Sequence, residues 1–167
     1  MRNLMVGREL SGSYFRSDYD GSYGDEVVLE AKRVTSGILE ELDLELHKGE
    51  ILGIGGLSDC GMHELGRVLF GINKPITGSV TLKKNNVQVN DPYVATKNNM
   101  AYVSKERDRE AIILNASIKE NVVLPSLRQL RKALGLITRQ SETDLTNKQI
   151  ETLRIKCRNG KQLCNEL

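Results

Sequence analysis

The sequence lacks the features that place a protein in a membrane or export it. It has no run of about 18 apolar residues, so we expect no transmembrane helix. The first 14 residues mix charged, polar and glycine residues, and they contain no apolar segment of the kind found in a signal peptide. These two absences predict a cytoplasmic protein.

Metal-binding residues are also scarce. The chain has three cysteines and two histidines, and no two cysteines have C-x-x-C spacing. A zinc cluster cannot be assembled from these residues by any known motif, so no metal ligands are predicted. We expect the cysteines to be reduced thiols.

Charge of one sign does not dominate. The 24 basic and 22 acidic residues leave a net charge of +2, which argues against a nucleic-acid partner. The charge is uneven, because nine basic and three acidic residues lie between Arg128 and Lys161. This segment is interpreted as a solvated helical face or, alternatively, as a surface near phosphate or an anionic membrane.

The order of elements predicts an α/β protein with a helical final third. Residues 11–25 are rich in Ser, Gly, Asp and Tyr and indicate a linker. Apolar or alternating segments predict strands, several of them bounded by turn residues. The predicted strands cover residues 27–29, 42–46, 51–54, 78–82 and 100–103.

Helix predictions follow from capping residues and apolar spacing. Asp91 and Pro92 predict a helix start, and Ser117 predicts another. Ser141 with Asp144 resembles a capping box for a helix that runs to about Lys156. Two further helices are predicted by apolar spacing and a terminal glycine: one has Leu65, Val68 and Leu69 before Gly71, and the other has Leu127, Leu130 and Leu134 before Gly135.

A glycine-rich stretch between a predicted strand and a predicted helix has the spacing of a phosphate-binding loop. Such a loop presents backbone N–H groups to a phosphate, and the helix N-terminus adds its positive dipole. The motif is G-x-x-x-x-G-K-[ST]. The eight matching residues are Gly56, Leu57, Ser58, Asp59, Cys60, Gly61, Met62 and His63.

Three of these residues differ from what catalysis requires. Met62 replaces the lysine that reaches the phosphates, and His63 replaces the hydroxyl that binds Mg²⁺. Asp59 adds a carboxylate that repels polyphosphate. The loop therefore predicts either a weak nucleotide site or a turn that only has the loop's shape.

Taken together, these motifs resemble the second ATP-binding cassette of monosaccharide ABC importers of the ribose, galactose, xylose and arabinose type. Residues 48–57 resemble the segment that enters the cassette, and residues 5–10 resemble the end of a preceding cassette. The order and spacing of the motifs carry the resemblance, which covers nearly the whole chain. Further matching segments are residues 64–65, 69–71, 77–80, 91–92, 100–104, 106–107, 109 and 117–121.

The resemblance implies an α/β fold, namely a partial P-loop NTPase core of the ABC type. This core would carry an antiparallel β subdomain and the start of a helical subdomain. Residues 1–25 would be a linker and the tail of a preceding cassette, and residues 26–167 would be the N-terminal part of an ATP-binding domain. Residues 116–167 would begin the helical subdomain.

The resemblance also implies a role and partners. The chain would bind ATP, with Mg²⁺ uncertain, and would couple nucleotide binding to a membrane permease subunit at the inner face of the cell membrane. A second partner would be a competent ATP-binding cassette. Lys105 occupies the Q-loop position, where the family commonly has an acidic residue, and Glu106 could substitute if the register shifts by one.

We expect no catalytic residues in this chain. By resemblance, the signature motif, the Walker B aspartate, the catalytic glutamate and the switch histidine would follow Leu167. A truncated cassette would be marginally stable and would not hydrolyse ATP alone. Two alternatives stay open: an interaction module or truncated fragment that binds no nucleotide, and an unrelated α/β enzyme in which His63 acts with Glu64 or Asp59.

Overall fold

A computed structural model describes residues 20–131 and 135–167. The chain divides between Tyr102 and Val103 into two compact units, called here the first and the second unit. The predicted end of a preceding cassette, most of the predicted linker and Leu134 lie outside the described residues. No helix among the described residues is long and apolar enough to cross a membrane.

The first unit is built on a four-stranded antiparallel sheet. Its strands are β1 (Val27–Ser36), β2 (Leu39–His47), β3 (Thr77–Leu82) and β4 (Val87–Gln88), in the order β2-β1-β3-β4. Ala31 of β1 lies opposite Leu44 of β2 and Val80 of β3. The predicted strands at 27–29, 42–46 and 78–82 are confirmed, because alternating apolar residues give each strand one face that packs into a core.

Two short helices complete the first unit. Helix α1 (Met62–Leu69) buries Leu65 and Val68, as its apolar spacing predicts. Helix α2 (Pro92–Lys97) begins at the predicted position, since the Asp91 carboxylate accepts a 2.8 Å hydrogen bond from the Val94 N–H. The core combines both helices with the sheet; its buried residues are Leu29, Ala31, Val34, Leu39, Leu65, Val68, Val80, Val89 and Ala95.

Two strand predictions are wrong. Residues 51–54 and 100–103 adopt neither strand nor helix, and Leu52, Ile54 and Val103 are exposed. Apolar residues report a preference for burial, but a strand also needs a neighbouring strand to complete its ladder of backbone hydrogen bonds. Among the described residues the sheet contains only β1 to β4, and none of these strands pairs with either segment.

The second unit is helical. After a π-helical turn at Arg107–Ala111 come helices α3 (Ile118–Val123), α4 (Leu127–Leu130) and α5 (Arg139–Thr152), and short 3₁₀ turns at Leu124–Ser126 and Cys164–Glu166. The start of α3 is confirmed as a capping box. The Ser117 hydroxyl accepts from the Glu120 N–H at 3.2 Å, and the Glu120 carboxylate accepts from the Ser117 N–H at 2.7 Å.

The other helix boundaries of this unit differ from prediction. Helix α5 begins at Arg139 and ends at Thr152, so the predicted start at Ser141 and end near Lys156 are wrong. Thr138 is the actual cap, because its hydroxyl accepts a 3.2 Å hydrogen bond from the Ser141 N–H. Helix α4 ends at Leu130, since Arg131 has extended backbone torsions.

Candidate nucleotide site

The predicted phosphate loop is an exposed turn that leads directly into helix α1. Residues 56–60 are all exposed, and the Cys60 N–H donates a 3.1 Å hydrogen bond to the Leu57 carbonyl. The Cys60 side chain folds back over Gly56, where a Cβ would lie 2.5 Å from the Cys60 sulfur. Glycine is therefore required at position 56 for this turn to close.

Gly61 joins the loop to the helix. It is buried, has a φ of 87°, and its carbonyl accepts the first hydrogen bond of the helix, 2.8 Å from the Leu65 nitrogen. A Cβ at position 61 would lie 2.9 Å from Leu39 Cδ2 and 3.1 Å from Ile38 Cγ1. Both the left-handed torsion and the close approach of the β1–β2 turn require glycine here.

The loop has backbone donors to offer a ligand. The N–H groups of Ser58, Asp59, Gly61, Met62 and His63 donate to no other described residue, and no side chain caps helix α1. Free N–H groups at the start of a helix, together with the positive end of its dipole, favour an anion. The described part of the chain leaves these N–H groups without a protein acceptor.

The side chains of the loop offer little to a polyphosphate. Met62 is half-buried and His63 is exposed, so neither supplies the ammonium or the hydroxyl of a complete motif. Asp59 is exposed, has a φ of 68° and adds a carboxylate to the loop sequence. These residues do not fit Mg²⁺, which prefers carboxylate and hydroxyl oxygens over imidazole, and the described residues contain no group of three metal ligands.

Lys105 and Glu106, the other two predicted site residues, lie in the second unit. Both are exposed. The Glu106 N–H donates to the Ser104 hydroxyl at 3.1 Å, and the Glu106 carbonyl accepts from the Glu110 N–H at 2.9 Å. The Glu106 backbone therefore starts the π-helical turn, while its carboxylate stays exposed.

Sequence reasoning missed the polar contacts that surround the loop. The Glu64 carboxylate accepts hydrogen bonds from Ser36, at the end of β1, and from Asn73, which follows helix α1. Glu64 was considered only as a possible acid–base partner of His63. The sequence placed Glu64 in the first turn of α1, which was the available signal for a polar role. Its two partners could not be predicted, because they are 28 and 9 residues away in the sequence and follow no motif.

The sequence pattern of the family described as ABC transporter matches residues 39–163. The chain belongs to the ABC transporter family. This match begins at β2, includes the loop and helix α1, and ends in the last turns of the second unit.

Several curated members of the ABC transporter family are similar over most of this chain. The ribose import ATP-binding protein RbsA of Caldanaerobacter subterraneus is 31% identical over 154 residues, which are 92% of this chain and 30% of that protein. RbsA of Lacticaseibacillus paracasei is 33% identical over 91% of this chain, and the fructose import ATP-binding protein FruK of Bifidobacterium longum is 31% identical over 80% of it. The chain spans about 30% of the length of these relatives.

A solved structure of an ATP-binding cassette has the same fold as this chain. The ATP-binding cassette MJ0796, determined as a dimer in a post-hydrolysis state with ADP and Pi, aligns with a TM-score of 0.67 at 20% identity. The alignment covers 83% of this chain and 62% of that cassette. The expected fold class, a partial ABC-type α/β core with an antiparallel sheet, is therefore confirmed.

Proposed function

We propose that this chain is an ATP-binding component of an ABC transporter that imports monosaccharides, and that its own phosphate loop binds nucleotide without hydrolysing it. The observation that carries the proposal is the loop at residues 56–63, in which the N–H groups of Ser58, Asp59, Gly61 and the first two residues of helix α1 donate to no other described residue. The similarity to ribose and fructose import proteins supports the transport role.

The residues of the loop argue for binding without catalysis. Backbone N–H groups hold a phosphate regardless of side chains, so the loop keeps its affinity for an anion. Met62 and His63 leave the γ-phosphate without a cation and the metal without a hydroxyl ligand, which removes two parts of the machinery for phosphoryl transfer. The role we propose is therefore allosteric, with hydrolysis carried out by a competent partner cassette.

An apolar groove in the second unit supports a membrane permease subunit as the other partner. The groove is lined by residues 109–113 together with Asn121, Leu124 and Pro125. Ile113 and Leu124 are 52% and 54% exposed. Protein–protein contacts are marked by exposed apolar side chains that are contiguous, and these two line the same groove. We place the permease here, at the inner face of the membrane.

The groove can be tested with matched leucine variants. Leu124→Asp should weaken assembly with ribose-type permease subunits, measured by co-purification, because it adds a charge to the apolar contact. Leu153→Asp is the control, since Leu153 is 66% exposed and lies outside the groove. Equal assembly of both variants would remove the groove from the proposal.

Nucleotide binding is tested with a fluorescent ATP analogue and a charge variant of the loop. Asp59→Asn keeps the size of the side chain and tolerates the left-handed torsion. It should tighten binding about fivefold, which corresponds to removing a unit charge about 4 Å from a phosphate in water. Asp25→Asn is the control, because Asp25 is exposed and makes no hydrogen bond to another described residue.

The outcomes separate the two functions that the sequence leaves open. Saturable binding that tightens in Asp59→Asn and not in Asp25→Asn would support a nucleotide site in the loop. No binding by either variant at millimolar nucleotide would instead favour an interaction module that uses the groove alone.

A further inference from the structure

Glu64 makes two hydrogen bonds that link three segments of the first unit. One carboxylate oxygen accepts from the Ser36 hydroxyl at 2.6 Å, and the other accepts from the Asn73 side-chain amide at 2.8 Å. Ser36 is only 4% exposed, so its hydroxyl has little access to water. Glu64 is the third residue of helix α1 and directly follows His63, the last residue of the phosphate loop.

The β1–β2 turn touches the end of the loop at a second point. Leu39 and Ile38 pack against Gly61, which is the loop residue directly before helix α1. In the same turn, a Cβ at Gly37 would lie 3.5 Å from the Glu64 carboxylate carbon, so the turn passes close to Glu64. The turn therefore holds both Gly61 and Glu64.

We propose that Glu64 is a positioning residue, which fixes the phosphate loop against the β1–β2 turn so that its N–H groups converge on a phosphate. This inference rests on the proposed nucleotide-binding function. Without the carboxylate, the buried Ser36 hydroxyl and the Asn73 amide lose their acceptor, and the first turn of α1 loses its tether. The loop, which is exposed up to Cys60, is then held by the packing around Gly61 and by the core residues Leu65 and Val68 of helix α1, without a polar tether at the first turn.

The test compares an alanine and a glutamine at position 64. Glu64→Ala removes both acceptors. Glu64→Gln can keep both contacts, because its Oε1 accepts from Ser36 and its amide donates to Asn73 once the Asn73 amide rotates by half a turn. The control is Glu40→Ala, since Glu40 is an exposed residue of β2 that makes no side-chain hydrogen bond to a described residue.

Backbone hydrogen exchange of Cys60 and Leu65, whose N–H groups donate to the Leu57 and Gly61 carbonyls, reports how firmly the loop and the start of helix α1 are held when it is measured on the full chain without nucleotide. We expect exchange about tenfold faster in Glu64→Ala, and rates within about twofold of the wild type in Glu64→Gln and Glu40→Ala. Unchanged exchange in Glu64→Ala would overturn the proposal.

Binding supplies a readout that a loss of stability alone would not change. Glu64→Ala should weaken binding of the fluorescent ATP analogue about tenfold while binding of a fluorescent adenosine stays the same, because only the phosphates contact the loop. An equal loss for both ligands would overturn the proposal. If the wild type binds no ATP but exchange still accelerates in Glu64→Ala, the positioning role stands and the nucleotide function fails.

Discussion

The two units of the chain are stabilised by different means. Of the eleven hydrophobic residues that are buried within residues 20–131 and 135–167, the first unit holds nine, and these join its sheet and helices into one core. The second unit holds the other two, Ile118 and Val123. The comparison teaches that a short sheet with two packed helices supplies a core, whereas short helices with few apolar contacts need another source of stability.

That source is hydrogen bonding. The Asn121 side chain pairs with both the N–H and the carbonyl of Ile113, at 2.8 and 3.0 Å, and also donates to the Ser117 carbonyl. Thr146 is 1% exposed, and its hydroxyl donates to the Glu142 carbonyl. Polar contacts of this kind fix a geometry but contribute only modest free energy each.

The largest effect should come from the core of the first unit. Leu65→Ala should lower the free energy of unfolding by about 2–5 kcal/mol, because it leaves a cavity where a 3% exposed side chain was packed. Hydrogen exchange of β1 and β3 measures this loss. Leu57→Ala is the control, since Leu57 is 86% exposed and its truncation should change stability by no more than about 0.5 kcal/mol.

A loss below about 1 kcal/mol for Leu65→Ala would contradict the contrast between the units. It would mean that the sheet is stable without the helix packed on it.

An intermediate effect is expected from Asn121→Ala in the second unit. The variant leaves the Ile113 N–H and carbonyl without their partner, which should cost about 1–3 kcal/mol. Exchange of residues 112–123 measures it. Asn115→Ala is the control, because the exposed Asn115 makes only a 3.3 Å contact with Asn165.

If both asparagine variants exchange alike, hydrogen bonding is not what holds the second unit, and its two buried apolar residues must suffice.

A smaller effect is expected at the cap of α3. Ser117→Ala removes the hydroxyl that accepts from the Glu120 N–H and should cost about 1 kcal/mol. Ser126→Ala is the control, since Ser126 makes no side-chain cap. Exchange at the start of α3 should rise only in Ser117→Ala, and an equal rise in both variants would show that the capping box does not stabilise the helix.

The smallest effect depends on pH. Hydrogen bonds from the Ser117 side chain and backbone lower the pKa of the exposed Glu120 carboxyl, so the folded state favours its charged form. The stability that it contributes is present above the ordinary glutamate pKa and is lost as pH falls through the lowered value. The protection of the α3 amides, taken relative to the intrinsic exchange rate at each pH, should therefore fall in acid. Glu120→Gln should remove that part of the pH dependence, and a dependence that persists in this variant would show that another group causes it.

Local signals predicted much of this fold correctly. Asp91 and Ser117 were recognised as caps because each cap is a contact between residues three apart. The strands at 51–54 and 100–103 failed because a ladder needs a partner distant in sequence. The start of α5 was misplaced because Thr138 and Ser141 are both capping residues, and local chemistry does not choose between them.

For the candidate site too, features that depend on nearby residues were predicted and contacts between residues distant in sequence were not. The spacing of Gly56 and Gly61 identified the loop, since the need for glycine arises from the backbone at those positions. Spacing gave no indication that Ser36 and Asn73 meet at Glu64, because the sheet and the helix must pack before these side chains approach. The prediction that Lys105 and Glu106 join the site stays a prediction.

The exposed apolar side chains that precede helix α1, Leu52, Ile54 and Leu57, also bear on how the protein is handled. Their neighbours Gly53, Gly55 and Gly56 carry no side chain to keep another molecule away. Association through this segment is a bimolecular event, so its rate rises with the square of the protein concentration. Samples should therefore lose monomer much faster when concentrated than when dilute, and charged residues at positions 52 and 54 should flatten that dependence.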